Sequence, residues 1–155
     1  MATQLKEGDI APDFQGVNQN GEIVTLSHQK GKKVILYFYP KDDTPGCTAE
    51  ACNLNDNFTQ LIEKGFEIIG VSPDDVHSHK KFSQKYGLKF NLIADTDKTI
   101  LQEYGVWGEK NMYGKISMGV IRTTFIIDEN NIILKIIKKV DTKNHTEQIL
   151  TLLEK

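Results

Sequence analysis

Residues 33–39, Lys-Val-Ile-Leu-Tyr-Phe-Tyr, form a near-continuous apolar run closed by Pro40. A strand with one wet face alternates apolar and polar residues; a run without alternation belongs to a strand buried on both faces. Such a strand needs a layer above and a layer below it, and the rest of the pattern supplies helices for both. A helix is predicted over 47–64, where Leu54, Phe58, Leu61 and Ile62 recur at helical spacing and Gly65 stops the run. A second buried strand follows at 66–71, then a helix over 76–86 ending at Gly87. A short strand at 90–94 precedes a short helix at 97–104, closed by Gly105. Residues 122–127 and 132–138 read as an antiparallel hairpin around Asp-Glu-Asn-Asn, and 146–153 as the final helix. Ahead of the apolar run, 14–17 and 22–26 flank Asn20-Gly21, a hairpin turn. The order predicts an α/β sandwich with a mixed central sheet and an N-terminal β-hairpin.

Composition excludes several function classes. The 19 basic and 21 acidic residues leave a net charge of −2, too balanced for a nucleic-acid partner bound by phosphate neutralisation. Two cysteines are too few for a disulfide scaffold or an all-cysteine zinc site. The first residues lack the apolar run of a signal peptide, and no stretch approaches the ~20 apolar residues of a spanning helix. With no repeat and no linker-like tract, the expectation is one cytoplasmic domain over 1–155, away from membranes. Arg122 is the only arginine among the 19 basic residues. Either a rigid five-donor fork is kept there for a task lysine cannot perform, or it survives a drift toward lysine by accident.

The stretch that carries chemistry is Pro40-Lys-Asp-Asp-Thr44-Pro45-Gly46-Cys47-Thr-Ala-Glu-Ala-Cys52. With Thr44 as N-cap, Pro45 falls at the first helical position, where its missing N–H is not needed. Cys47 then sits in the first turn, near unpaired backbone N–H groups and the positive end of the helix dipole. Both favour the thiolate, the nucleophilic form. The Thr44 hydroxyl is one candidate donor to it, and Arg122 another if the fold brings it across. Against this, a free cysteine is commonly a small buried hydrophobe. Asp42 and Asp43 are read as loop-solvating residues, since carboxylates beside Cys47 would oppose the thiolate. His77 and His79 point to different helix faces, poor geometry for one metal. His28 and His145 read as surface residues, and the paired lysines at 32–33, 80–81 and 138–139 as solvated positions. Trp107, Met112, Tyr113 and Met118 fit a substrate pocket or a loop packed on the core equally.

Pro40, Thr44 and Cys47 in the pattern Pro-x-x-x-Thr-x-x-Cys, after a strand ending Tyr-Phe-Tyr, resemble the peroxiredoxin active-site loop. The longer string Thr-Pro-Gly-Cys-Thr-x-Glu-x-Cys is similar to the bacterioferritin comigratory protein (peroxiredoxin Q) subfamily. So are Tyr104-Gly-Val-Trp-Gly-Glu-Lys, Met112-Tyr-Gly-Lys and Arg122-Thr-Thr-Phe-Ile-Ile-Asp. The likeness runs from Gly8-Asp-Ile-Ala-Pro-Asp-Phe to the C-terminal helix. It implies a thioredoxin-like sandwich and a thiol-dependent peroxidase acting on hydrogen peroxide and organic hydroperoxides. By that resemblance Cys47 is the peroxidatic cysteine, Cys52 the resolving one, Thr44 and Arg122 hold the thiolate and peroxide oxygens, and Pro40 shields the site. Cys47 sulfenic acid would condense with Cys52 to a disulfide, which a thioredoxin-type dithiol reduces. The resemblance implies a monomer with no metal, flavin or haem.

Two rivals remain: a redox sensor in which Cys47 oxidation alters a partner surface, and a one-cysteine peroxidase resolved by an external thiol. Helix geometry adds an expectation. Residues five apart in one α-helix have Cα atoms about 8.6 Å apart, whereas a disulfide needs roughly 4.4–6.8 Å. A Cys47–Cys52 bond therefore predicts an unwound 45–54 segment in the disulfide form.

Overall fold

The computed structural model describes residues 3–29 and 31–154, with the backbone alone at Met112. Its first strands, β1 (Gln15–Val17) and β2 (Ile23–Thr25), pair antiparallel. The turn between them is held by Asn18, whose side-chain oxygen accepts from the Asn20 and Glu22 N–H groups, while Gly21 takes a positive φ of 76°. A 3-10 turn over Leu26–Gln29 leads into β3 (Lys33–Phe38). Then come α1 (Pro45–Asp56), α2 (Phe58–Glu63), β4 (Phe66–Ser72), α3 (Val76–Tyr86), β5 (Asn91–Ala94) and α4 (Thr99–Glu103). The chain closes with β6 (Trp107–Met112), β7 (Lys115–Val120), β8 (Thr123–Ile127), β9 (Ile133–Ile137) and α5 (His145–Leu153).

Seven strands form one sheet in the order β2-β1-β5-β4-β3-β8-β9, in which β3, β4 and β5 run parallel and the others antiparallel. This is the mixed α/β sheet that the element order predicts. The apolar run occupies the middle, and its side chains divide by parity, as the two-residue period of a strand requires. Val34, Leu36 and Phe38 enter a cluster with Phe14, Tyr104 and Phe125 on one face. Ile35, Tyr37 and Tyr39 enter a second cluster on the other, with Cys47, Ala51, Leu54, Leu61 and Ile149 of the covering helices. Thus Cys47 is part of a core, at 1% exposure. Among the described residues no helix is long and apolar enough to cross a membrane.

Two predicted elements differ. The helix expected over 47–64 is divided at Asn57, whose backbone leaves the helical region at φ −105°, ψ 15°. Its side-chain amide donates to the Asn53 carbonyl at 2.8 Å, the kind of local bond by which Asn competes with helix continuation. Leu54 and Leu61 still reach the same core cluster from the two pieces, with Phe58 packed against it, whereas Ile62 is left exposed. The segment around Trp107 and Met118, read as a loop or pocket lining, is a separate two-stranded hairpin. Its two-residue turn has Tyr113 at φ 55° and Gly114 at φ 81°, the primed type that matches strand twist. The Tyr-Gly pair was the available signal.

One close approach shapes the floor of the Cys47 cluster. A Cβ at Gly70 of β4 would lie 2.8–2.9 Å from three atoms of the Tyr37 ring and hydroxyl, and Tyr37 is buried. Gly70→Ala is therefore expected to cost about 1–3 kcal/mol through overpacking, read as a lowered urea midpoint at unchanged slope.

Candidate active site

The register of β3 against β8 assembles the site. Phe38 lies opposite Thr123 in antiparallel pairing, so the residue that precedes β8 comes beside the loop that leaves β3. That residue is Arg122. The loop runs from Tyr39 to Thr44 and enters α1 with Thr44 as an extended N-cap (φ −101°, ψ 155°) and Pro45 in the first turn. Cys47 takes the position expected for it, where backbone N–H groups have no intrahelical acceptor.

Arg122 donates from Nη2 to Cys47 Sγ at 3.2 Å and from Nη1 to Glu50 Oε1 at 2.7 Å. Cys47 and Glu50 are three residues apart on α1 and so share a face, within reach of one fork. Gly46 leaves room for the guanidinium: a Cβ there would stand 3.3 Å from Nη2. Burial works against the Arg122 charge, but Cys47 and Glu50 beside it more than offset this and hold it firmly protonated. Lys110 of β6 lies nearby; burial first, then the Arg122 charge, hold its ammonium below the usual lysine range.

The other predicted site residues are placed as follows. The Thr44 hydroxyl donates to the Lys41 carbonyl at 2.8 Å and makes no cap bond. Its single hydrogen is therefore committed to the loop, and Arg122 rather than Thr44 is the side-chain donor to Cys47. Pro40 is half-buried where the loop leaves the sheet. Cys52 lies in the same continuous helix as Cys47, partly buried, and both thiols are free. Burial and then Asp56 push the Cys52 thiol above the ordinary value.

Three readings of polar residues are corrected. Asp42 does not solvate the loop: it is buried and accepts from Tyr39 Oη at 2.6 Å and Ser78 Oγ at 2.8 Å. It also pairs with His79 Nδ1 at 2.7 Å. His79 is buried while His77 is exposed, in keeping with their opposite helix faces. Asp43, in a left-handed conformation at φ 57°, accepts from Lys85 Nζ and Tyr86 Oη, both at 2.8 Å. Together Asp42 and Asp43 fasten the loop to α3. His145 is no surface residue but fully buried, 3.4 Å from Glu50 Oε2. Burial pushes its imidazole down to about 4. Burial likewise pushes the Glu50 carboxyl up to about 7, against the pull of Arg122. Sequence reasoning assigned no role to Glu50 or His145; the signals for Glu50 were its three-residue spacing from Cys47 and its place in the Thr-Pro-Gly-Cys-Thr-x-Glu-x-Cys string, and His145 had none. Tyr113 and Met118 are exposed, and Trp107 packs on the first core cluster. The Met112 side chain lies outside the described residues.

A thioredoxin-like sheet with a buried cysteine at a helix start, hydrogen-bonded by an arginine, defines the class: a thiol-dependent peroxidase of the peroxiredoxin type. The chain belongs to the AhpC/TSA family, whose model matches residues 8–136. It is 43% identical over 150 residues to peroxiredoxin Bcp of Bacillus subtilis (strain 168), covering 97% of this chain and 96% of that one. Among solved structures it is similar to Xylella fastidiosa peroxiredoxin Q, at TM-score 0.91 and 31% identity over 99% of this chain and 98% of that one. It is also similar to the Xanthomonas campestris bacterioferritin comigratory protein, solved in a study of its alkyl peroxide reduction. There the TM-score is 0.87 and the identity 34%, over 98% of this chain and 97% of that one.

Arg122→Lys keeps the charge but cannot hold Cys47 and Glu50 with one planar fork. Alkylation of Cys47 at neutral pH is expected to slow about tenfold or more, as loss of a charge-assisted hydrogen bond implies. Unfolding by urea should change little by comparison; an unaltered alkylation rate would make the fork incidental.

Proposed function

We propose that this protein reduces hydrogen peroxide and organic hydroperoxides with Cys47 as nucleophile and Cys52 as resolving thiol. The observation that carries the reading is the 3.2 Å bond from the Arg122 fork to a cysteine buried in the first turn of α1. The Cys47 thiolate attacks the terminal peroxide oxygen; the S–O bond forms, the O–O bond breaks, and the other oxygen leaves as an alkoxide or hydroxide that takes up a proton. Sulfur is oxidised to the sulfenic acid as the peroxide is reduced. Donors already aimed at the reacting atoms need no reorganisation during the step, and Arg122 supplies one arm at the sulfur while Glu50 holds the other. Thr44, its hydrogen on Lys41, keeps oxygen lone pairs for the peroxide O–H. Pro40 limits water at the loop.

Cys52 thiolate then displaces hydroxide from the sulfenic sulfur, giving the disulfide and water once a proton is taken up. A thioredoxin-type dithiol restores both thiols by exchange. We assign the activity to a cytoplasmic monomer acting as one domain over 1–155, without metal, flavin or haem. The alkyl peroxide reduction reported for the Xanthomonas campestris relative supports the organic hydroperoxides as substrates.

Turnover with a thioredoxin system tests the assignment. Cys47→Ser should abolish it, because a serine hydroxyl is not ionised at neutral pH and is a weak nucleophile. Residual turnover above a few percent would remove Cys47 from the role. Consumption of only one equivalent of peroxide by the wild type would make the protein a sensor, and full turnover by Cys52→Ser would make it a one-cysteine peroxidase.

Resolution carries a pH signature and a structural one. Because Cys52 is held above the ordinary thiol value, it is almost wholly protonated at neutral pH and must lose its proton to attack. Disulfide formation after one equivalent of peroxide should quicken about tenfold per pH unit between pH 6 and 8, followed by acid quench and mass. The disulfide also requires α1 to unwind at its start. Amide exchange should quicken around residues 49–54 on oxidation, the N–H groups at and just past Asn53 losing the carbonyls of the unwound turn. Asn53 is bonded to α5 through the Thr146 N–H at 2.8 Å and the Lys143 carbonyl at 3.0 Å. Equal protection in both redox states, with the disulfide confirmed, would rule out unwinding.

A further inference from the structure

Behind the Arg122 fork lies a buried polar cluster that the peroxidase chemistry above does not use. Glu50 is fully buried, and among the described residues its Oε2 has no hydrogen-bonded partner. The nearest basic atom is His145 Nε2, at 3.4 Å. The protonation of that ring follows from its neighbours. Gln148 Oε1 accepts from the Asp141 N–H at 2.9 Å, and Gln148 Nε2 donates to the Lys139 carbonyl at 2.8 Å, so the amide orientation is settled. Its oxygen stands 3.0 Å from His145 Nδ1, which therefore carries a hydrogen. In the neutral ring Nε2 is then an acceptor, hydrogen-bonded to Thr124 Oγ1 at 2.8 Å, with the unpartnered oxygen of Glu50 at 3.4 Å. Thr124 has one hydrogen to give. Given to Nε2, it leaves the Glu50 carboxylate oxygen without a donor in a dry core, and one more proton held between Oε2 and Nε2 supplies one.

Resting on the reading of Cys47 as the peroxidatic thiolate, we propose that His145 is a positioning residue for the reaction. Its Nε2 and Glu50 Oε2 share one proton while Cys47 is a thiolate, and the pair releases that proton as Cys47 is oxidised. The charges around Arg122 give the reason. A thiolate and a Glu50 carboxylate on the same guanidinium would repel one another, and a neutral pair would leave Arg122 with no anion at all. With the shared proton in place, Arg122 faces one anion, Cys47. Once sulfur becomes a neutral sulfenic acid, Arg122 favours the Glu50 carboxylate, and the proton leaves. The protons balance: the leaving alkoxide needs one as the pair loses one, and the thiolate's negative charge reappears on Glu50. The other ionisable groups facing the cluster are Tyr37 from β3 and, further out, Lys110 beside Arg122 and Asp141 beside His145. The strong upward push of burial on the Tyr37 phenol keeps it neutral throughout, so it does not compete for the proton.

The test is the carboxyl carbon resonance of Glu50 in protein labelled at its glutamate side chains, assigned by its loss in Glu50→Gln. In the reduced wild type Glu50 should titrate at least about one pH unit higher than in Cys47→Ser, where the competing anion is gone. Identical titration in the two would overturn the proposal. His145→Gln places a fixed N–H donor against Oε2 and holds Glu50 as a carboxylate. Cys47 alkylation in that variant should fall about fivefold at pH 6 and approach the wild-type rate by pH 8.5, where the wild-type pair has already lost its proton. An equal loss at every pH would mark simple structural damage and count against the pair. Retained turnover in Cys47→Ser would overturn the peroxidase assignment instead. Lost turnover in Cys47→Ser with an unmoved Glu50 resonance overturns the proton pair alone.

Discussion

The site depends on one guanidinium divided between a thiol and a carboxyl group. Arg122 is largely withdrawn from solvent, its side chain 23% exposed, and a charge so placed needs anionic partners to be tolerated. Cys47 and Glu50, one on each arm of the fork, are the groups that supply that negative charge. A lysine ammonium would have the charge but not two parallel donors at fixed spacing. The solitary arginine in a lysine-rich chain is thus accounted for by geometry. The dependence also runs the other way: Glu50 is a carboxyl in a core, and Arg122 is the partner that makes its ionised form accessible.

The sheet exists in a form that makes this contact possible. A strand wet on one face could not carry Cys47 and its helix on one side and the Tyr104–Phe125 cluster on the other. β3 does so because its apolar run leaves no polar parity. The antiparallel pairing of β8 against it turns Arg122 toward the exit of β3, while the parallel pairing of β4 supports the Tyr37 ring through Gly70.

What could be read in the sequence was what local rules govern. The mixed sheet follows from the apolar runs and turn residues, and the placing of Cys47 follows from Thr44 and Pro45 as helix-start signals. The break at Asn57 was hidden because the apolar spacing passes straight through it. Asp42 and His145 were misjudged for a different reason. A polar residue is buried only when partners distant in sequence complete its hydrogen bonds, and those of Asp42 lie as far along the chain as His79. The Thr44 hydroxyl illustrates the same point on a smaller scale: the Lys41 carbonyl, three residues away, takes the hydrogen that the motif offers to sulfur.

The fastenings on either side of Cys47 set the boundary conditions for anything the helix start does. Upstream, Asp42 and Asp43 moor the loop to α3 through Ser78, His79, Lys85 and Tyr86. Downstream, Asn53 is moored to α5 at Lys143 and Thr146. The intervening chain behaves like a rope slung between two posts: it can sag outward, but its ends keep their separation. Under the proposed unwinding, rearrangement there would leave β3 and the far half of α1 in place, and the span would return to a seat with fixed edges. Such a stretch can be opened and closed many times without placing the rest of the fold at risk.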